Sequence, residues 1–282
     1  MPTIRSHGID IRYEVTGEGP PVVLGHSFLA SSDMWAPQVP ALAERYQVIN
    51  IDARGHGASG TASRSFTLYE MVDDVVAVLD AVGVERAIWA GLSVGGMVAL
   101  RAALEVPSRV GGLVLLDTDA GPEGLGKRLK YAALAAAARR VGVAPVSRQV
   151  TRIMFGPTTL RTKAALVEEW RQRFASVDVP SALHALRAIS GRDDLLARLQ
   201  QIAVPALVIV GEEDRALPPS RSRRLTAGLR EARLVEIPGA GHLATLEQPE
   251  RVTEEMLALL DEVYRKERSR EARETAPPSK PR

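Results

Sequence analysis

The sequence predicts an α/β fold with a mostly parallel sheet covered by helices on both faces. Three observations carry this. Short, continuously apolar runs at 22–24, 110–116 and 206–210 read as strands buried on two sides. Helical patterns separate successive runs, as parallel strands require. A stretch of some eighty residues, 119–199, then lacks strand signals and reads as a helical insertion over the sheet end.

Taken in order, residues 9–15 alternate apolar and polar side chains, as an edge strand does, and Gly17, Gly19, Pro20 and Pro21 turn the chain into the strand at 22–24. Ser32 or Asp33 caps a helix expected over 34–44, and residues 47–51 form the next strand. The loop Asp52-Ala53-Arg54-Gly55-His56-Gly57-Ala58-Ser59-Gly60 follows it. Thr67 and Glu70 have capping-box spacing and open an amphipathic helix that Gly83 closes. Residues 86–90 form a strand, 97–104 a helix ending before Pro107, and 110–116 another strand. In the insertion, 127–140 and 163–174 have helical composition and spacing, and Ser181 is a candidate cap. The sheet resumes at 204–210, a helix covers 220–229, 233–237 is the last strand, and a helix spans 249–266. The domain organisation expected is a core of 1–118 and 200–265, an insertion of 119–199 and a disordered tail of 266–282.

Composition bounds the function. The chain has 282 residues, 45% hydrophobic and 25% charged, which are ordinary globular values. Its net charge of +2 arises largely from the tail, so nothing favours nucleic acid or an anionic membrane as partner. The absence of cysteine excludes disulfides, thiolate nucleophiles and Cys-ligated metals. No signal core or membrane-length apolar run is present, so a cytoplasmic location is expected.

The chemistry centres on Gly91-Leu92-Ser93-Val94-Gly95, a G-x-S-x-G turn between a strand and a helix. There the serine hydroxyl is pushed clear of the sheet, beside the positive end of the helix dipole. A serine needs a base, and the base an orienting carboxylate. Of the five histidines, His242 lies after the last strand on the glycine-flanked loop Gly239-Ala240-Gly241-His242 and is the candidate base. His26 and His56 sit in early loops and read as loop ties, and His7 and His184 lie elsewhere. Asp214, at the turn after 206–210, is the candidate carboxylate; Asp117, ending 110–116, competes with it, and Glu213 is a lesser candidate.

Together with Gly25-His26-Ser27-Phe28, the Asp52–Ser59 loop, Gly211-Glu212-Glu213-Asp214 and Gly239–His242, these motifs make the chain resemble the α/β-hydrolase fold superfamily over residues 9–265. The resemblance is to its esterase, lactonase and haloperoxidase group, and it is similar to 3-oxoadipate enol-lactonases. It implies the α/β-hydrolase fold, with a mostly parallel sheet of the eight-stranded type, flanking helices and a helical cap. It also implies an order of Ser93, Asp214, His242 for the triad, and an oxyanion hole from the backbone N–H groups of Val94 and Phe28. Ser27 stands where the family usually has glycine. A serine at the elbow argues against haloalkane dehalogenases and epoxide hydrolases, which place an aspartate there.

The expected partner is a small ester or lactone, with no metal or organic cofactor; monomer and homo-oligomer both fit. Perhydrolysis or carbon–carbon bond hydrolysis could use the same residues, and a receptor that keeps the fold is a remote alternative. Trp35, Met154, Phe155 and Trp170 are candidates to line a pocket beneath the insertion, the other reading being insertion core. Arg54 reads as a loop organiser, and the pairs Asp73-Asp74 and Asp193-Asp194 as solvated helix faces or caps, not metal ligands.

Overall fold

The computed structural model describes residues 2–142 and 144–274. Eight strands form one sheet in the order β1-β2-β4-β3-β5-β6-β7-β8. The strands are β1 (Thr3–Ser6), β2 (Ile9–Thr16), β3 (Pro21–Gly25), β4 (Gln47–Ile51), β5 (Ala87–Leu92), β6 (Val110–Leu116), β7 (Ala206–Gly211) and β8 (Ala232–Ile237). Every pairing from β4 through β3, β5, β6 and β7 to β8 is parallel; β2 runs antiparallel to both β1 and β4.

Alternation along the strands assigns side chains to two cores. Val23, Ile49, Trp89, Leu113, Leu115 and Val208 point toward α2 (Leu68–Ala81), α3 (Val94–Glu105) and α9 (Pro219–Gly228). Val22, Leu24, Val48, Ile88, Val114 and Leu116 point toward α1 (Val39–Ala43) and α11 (Pro249–Glu274), whose Val252, Met256, Leu260 and Val263 complete the second layer. Burial on both faces is why β3, β6 and β7 are apolar without interruption; β4 carries the buried Asn50, whose side-chain amide donates to the Ser32 carbonyl at 3.0 Å.

Three local expectations are corrected. β1, which the sequence did not signal, pairs outside β2, so β2 is not the sheet edge; the connecting turn is His7 at φ 47° and Gly8 at φ 79°, a two-residue hairpin. The helix expected over 34–44 is instead a 3₁₀ turn at Ser32–Trp35 followed by the short α1. Pro37 lies between them, and a proline there removes an N–H and breaks the i→i−4 ladder. Ser181 is not a cap but lies inside a helix. Asp178 caps that helix, accepting from the Ser181 N–H at 2.9 Å, while Ser181 Oγ accepts from the Ala62 N–H at 3.0 Å.

Between β6 and β7 the chain forms α4 (Leu125–Val141), α5 (Ser147–Met154), α6 (Pro157–Thr162), α7 (Ala164–Ala175) and α8 (Val179–Ser190), with no strand among the described residues. The short α10 (Ala244–Glu247) precedes α11, which continues to Glu274 and so runs through the first part of the expected tail; residues 275–282 lie outside the described residues. No helix among the described residues is long and apolar enough to cross a membrane.

Candidate active site

Ser93 occupies the one-residue turn between β5 and α3, with φ 55° and ψ −110°. A non-glycine residue in that region is strained by roughly 1 to 3 kcal/mol and persists only where its surroundings dictate it. They do so here. The Ser93 N–H donates to the Leu116 carbonyl at 2.8 Å, and the Ser93 carbonyl accepts from the Met97 N–H at 3.0 Å and from the Thr118 hydroxyl at 2.7 Å. The close crossing also needs bare backbone: a Cβ on Gly91 would overlap the Gly95 carbonyl carbon, and one on Gly95 would overlap Gly25. The serine thus stands at the N-terminus of α3, where Val94 is the first helical residue and its N–H has no partner within the helix.

His242 follows β8 and Asp214 follows β7, and these neighbouring parallel strands bring the two side chains together. His242 Nδ1 lies 2.8 Å from Asp214 Oδ2. The other carboxylate oxygen accepts from the amides of Ala216, at 2.7 Å, and Leu217, at 2.9 Å, so a tight turn fixes the acid's direction. Both side chains are almost fully buried.

The competing acids have other partners. Asp117 Oδ1 accepts from the Gly211 N–H at 2.8 Å, and burial, with the Asp214 carboxylate nearby, holds its carboxyl well above the usual range. Burial and a neighbouring carboxylate both disfavour the charged form of such an acid. Glu213 points away to α6, where it accepts from the Thr158 N–H at 2.7 Å and hydroxyl at 2.6 Å.

The loop after β3 carries Phe28. Its backbone is set by His26, whose Nδ1 donates to the Ser27 carbonyl at 2.7 Å and whose Nε2 accepts from the Ala53 N–H at 2.9 Å. That pattern uses both ring nitrogens of a neutral imidazole, and burial lowers its basicity accordingly. Ser27 fits because its backbone does not enter the left-handed region; Leu29 does, at φ 63°. His56 ties the neighbouring loop through Nδ1 to the Arg54 carbonyl at 3.1 Å, and burial pushes its pKa down to about 4.

Ser93, His242, Phe28 and Met154 line one cavity of about 160 Å³, with Ser27 and Leu217. Trp35, Phe155 and Trp170 do not line it. Trp35 and Phe155 are fully buried in the core layer on the α11 side. Phe155 is turned there because α5 ends at Met154 and the next residue is extended, while Val150, Ile153 and Met154 on the helix face the cavity. Trp170 packs on Phe174, their ring centroids 5.8 Å apart. The wall residues that sequence reasoning missed, among them Tyr131, Leu134, Leu183 and Leu186, come from α4 and α8, whose facing sides no local pattern marks.

Sequence reasoning also missed Glu247, in α10. Its Oε1 accepts from the amides of Gly241, at 2.9 Å, and Leu243, at 3.2 Å, and its Oε2 accepts from the Gly156 N–H at 2.8 Å. Arg54 is the loop organiser expected: its guanidinium grips Asp74 through two 2.6 Å hydrogen bonds, both side chains buried. Asp74 is therefore not a solvated helix face; Asp73 meets His7 at 3.0 Å, Asp193 pairs with Arg101, and Asp194 accepts from the Leu196 N–H at 2.9 Å.

An alpha/beta hydrolase fold family model matches residues 20–249. A thermophilic esterase from Thermogutta terrifontis superposes with a TM-score of 0.87 at 31% identity, over 93% of this chain and 97% of that one. The enol-lactonase from Burkholderia xenovorans gives 0.86 at 28%, over 92% and 99%. The 3-oxoadipate enol-lactonase 2 of Acinetobacter baylyi is 26% identical over 250 residues, covering 88% of this chain and 92% of that protein. With the strained serine at the strand-to-helix turn and the sheet order that carries it, these similarities establish that the chain belongs to the α/β-hydrolase fold family and is an α/β-hydrolase enzyme.

Proposed function

We propose that the enzyme hydrolyses a small carboxylic ester or lactone through an acyl-enzyme on Ser93, with His242 as base and Asp214 as its orienting acid. The observation that carries this reading is the Asp214–His242 hydrogen bond beside a serine that shares the same cavity. The esterase and lactonase relatives support the reaction class.

In the first step Ser93 Oγ bonds to the substrate carbonyl carbon while its proton passes to His242 Nε2. The carbonyl π electrons move onto oxygen, where the amides of Val94 and Phe28 receive the charge; each such donor is worth on the order of 10² to 10³ in rate. Collapse breaks the bond to the leaving oxygen, which takes the proton from His242. Water, deprotonated by the same imidazole, then adds to the acyl carbon, and its collapse frees the acid and regenerates the Ser93 hydroxyl. Asp214 stabilises the imidazolium and directs Nε2 toward the serine. The segment between β6 and β7 serves as a cap that limits water and shapes the acyl site.

Substituting Ser93→Ala tests the scheme. The variant is expected to lose hydrolysis of p-nitrophenyl acetate by roughly 10⁶-fold and to lose labelling by a fluorophosphonate. Retained labelling, or a rate within tenfold of the parent enzyme, would remove Ser93 from the mechanism.

A further inference from the structure

The cavity that Ser93 and His242 share is walled by hydrocarbon. Its outer wall comes from α4 (Leu134, Ala138), α5 (Val150, Ile153) and α8 (Leu183, Leu186). Beyond the serines and His242, polar side chains reach it only from Tyr131 and Glu123 among the described residues, and no Lys or Arg lines it.

The neighbouring cations are committed elsewhere. Arg192 donates to Glu123 at 3.1 Å and to the Gly121 carbonyl at 2.8 Å, and Arg221 pairs with Asp119 and, at 3.4 Å, with Glu123. Lys127 donates to the Ala216 carbonyl at 2.6 Å. The volume of about 160 Å³ sets the scale. A dry cavity of about 150 Å³ accommodates benzene, so this one suits an apolar group of roughly six heavy atoms.

Resting on the hydrolase reading above, we propose that the enzyme selects esters or lactones whose non-reacting part is an uncharged hydrocarbon of about six carbons, and rejects those carrying a carboxylate there. Each methylene moved from water into the cavity favours the transition state by about fourfold, until the space is filled. A carboxylate in the same position loses its hydration and meets no Lys or Arg in the cavity wall, the nearby guanidinium of Arg192 being held by Glu123 and the Gly121 carbonyl.

The test uses the full chain and a pH-stat assay near neutral pH. Methyl hexanoate and monomethyl adipate present acyl chains of equal carbon number that differ in a terminal carboxylate. Methyl acetate, methyl butanoate and hexyl acetate vary chain length on the acyl and alcohol sides. The expected result is a rise in kcat/KM of at least about tenfold along one of the two length series. Monomethyl adipate should fall at least about a hundredfold below methyl hexanoate. Flat length series, or adipate within about threefold of hexanoate, would overturn the proposal.

Leu186→Lys, or Leu134→Lys where the first does not fold by circular dichroism, places an ammonium in the wall and should raise the adipate-to-hexanoate ratio at least about tenfold. An unchanged ratio in a folded variant would also overturn it. Fluorophosphonate labelling together with methyl acetate hydrolysis reports on the hydrolase reading separately. If both are present without selectivity, the proposal fails alone; if both are absent, the hydrolase reading fails and the proposal with it.

Discussion

Glu247 grips the backbone on both sides of His242, one carboxylate oxygen accepting from the amides of Gly241 and Leu243 while the other holds Gly156, at the junction of α5 and α6. The candidate base is therefore positioned by a buried acid that never touches it. Burial raises this acid's pKa while the backbone donors oppose that rise.

Glu247→Ala is expected to lower kcat by about ten- to a hundredfold with a smaller effect on KM, because a base displaced by about 1 Å loses roughly that much. It should also lower stability by several kcal/mol, since three buried amides lose their acceptor at about 1 to 3 kcal/mol each. Glu247→Gln retains the acceptor for Gly241 and Leu243 and should recover much of kcat. A kcat profile in which the Gln variant matches the Ala variant would show that the Oε1 bracket is not what positions His242.

Asp214 and Asp117 follow adjacent strands, and they have different partners: Asp214 is hydrogen-bonded to His242, whereas Asp117 accepts from the Gly211 N–H. Asp214→Asn should reduce kcat by on the order of 10⁴-fold, the loss seen when a triad loses its acid. Asp117→Asn keeps a side-chain acceptor for the Gly211 N–H at a position with no hydrogen bond to His242, and should cost less than tenfold. Steady-state kinetics on the two variants decides, and the opposite ranking would assign the role to Asp117.

His56 gives a pH dependence of stability. Its folded pKa of about 4 lies below the ordinary 6.5, so the unfolded chain binds the proton first as pH falls. The contribution of the neutral buried ring is fully present above about pH 6.5 and is lost progressively down to about pH 4. Urea unfolding at pH 7 and pH 4.5 should show the wild type losing roughly 2 to 3 kcal/mol more than His56→Asn. Equal losses would mean that the ring takes up a proton without unfolding.

Arg54→Ala leaves the Asp74 carboxylate buried without its partner, and burial already raises that group's pKa. The expected cost is about 3 to 5 kcal/mol, read as a large fall in the urea midpoint. The double variant Arg54→Met with Asp74→Leu should recover a large part of it, because the penalty lies in the orphaned charge. A midpoint for the double variant no higher than that of Arg54→Ala would place the cost in lost loop packing instead.

Much of this architecture was legible from short-range patterns. A strand buried on both faces favours apolar side chains throughout, so β3, β6 and β7 announced themselves as continuous runs, and β4 by the apolar residues around its buried Asn50. Thr67 and Glu70 form the capping box that their spacing indicated. β1 escaped because four residues with alternating exposure carry too little signal, and the helix expected over 34–44 broke at Pro37, whose cost pattern reading discounted.

Sequence alone determined the serine at a glycine-bounded strand-to-helix turn and the strand-end positions of the candidate acids and of His242, because turn chemistry and sheet-end position are local properties. Tertiary structure decided which carboxylate meets His242, since Asp117 and Asp214 stand at equivalent strand ends and only the Ala216–Leu217 turn aims one of them. It also decided that Met154 faces the cavity while Trp35, Phe155 and Trp170 pack away from it. Glu247 could not be foreseen for the same reason: its bonds reach from α10 to Gly156, ninety-one positions earlier, and such contacts depend on how helices rotate against the sheet.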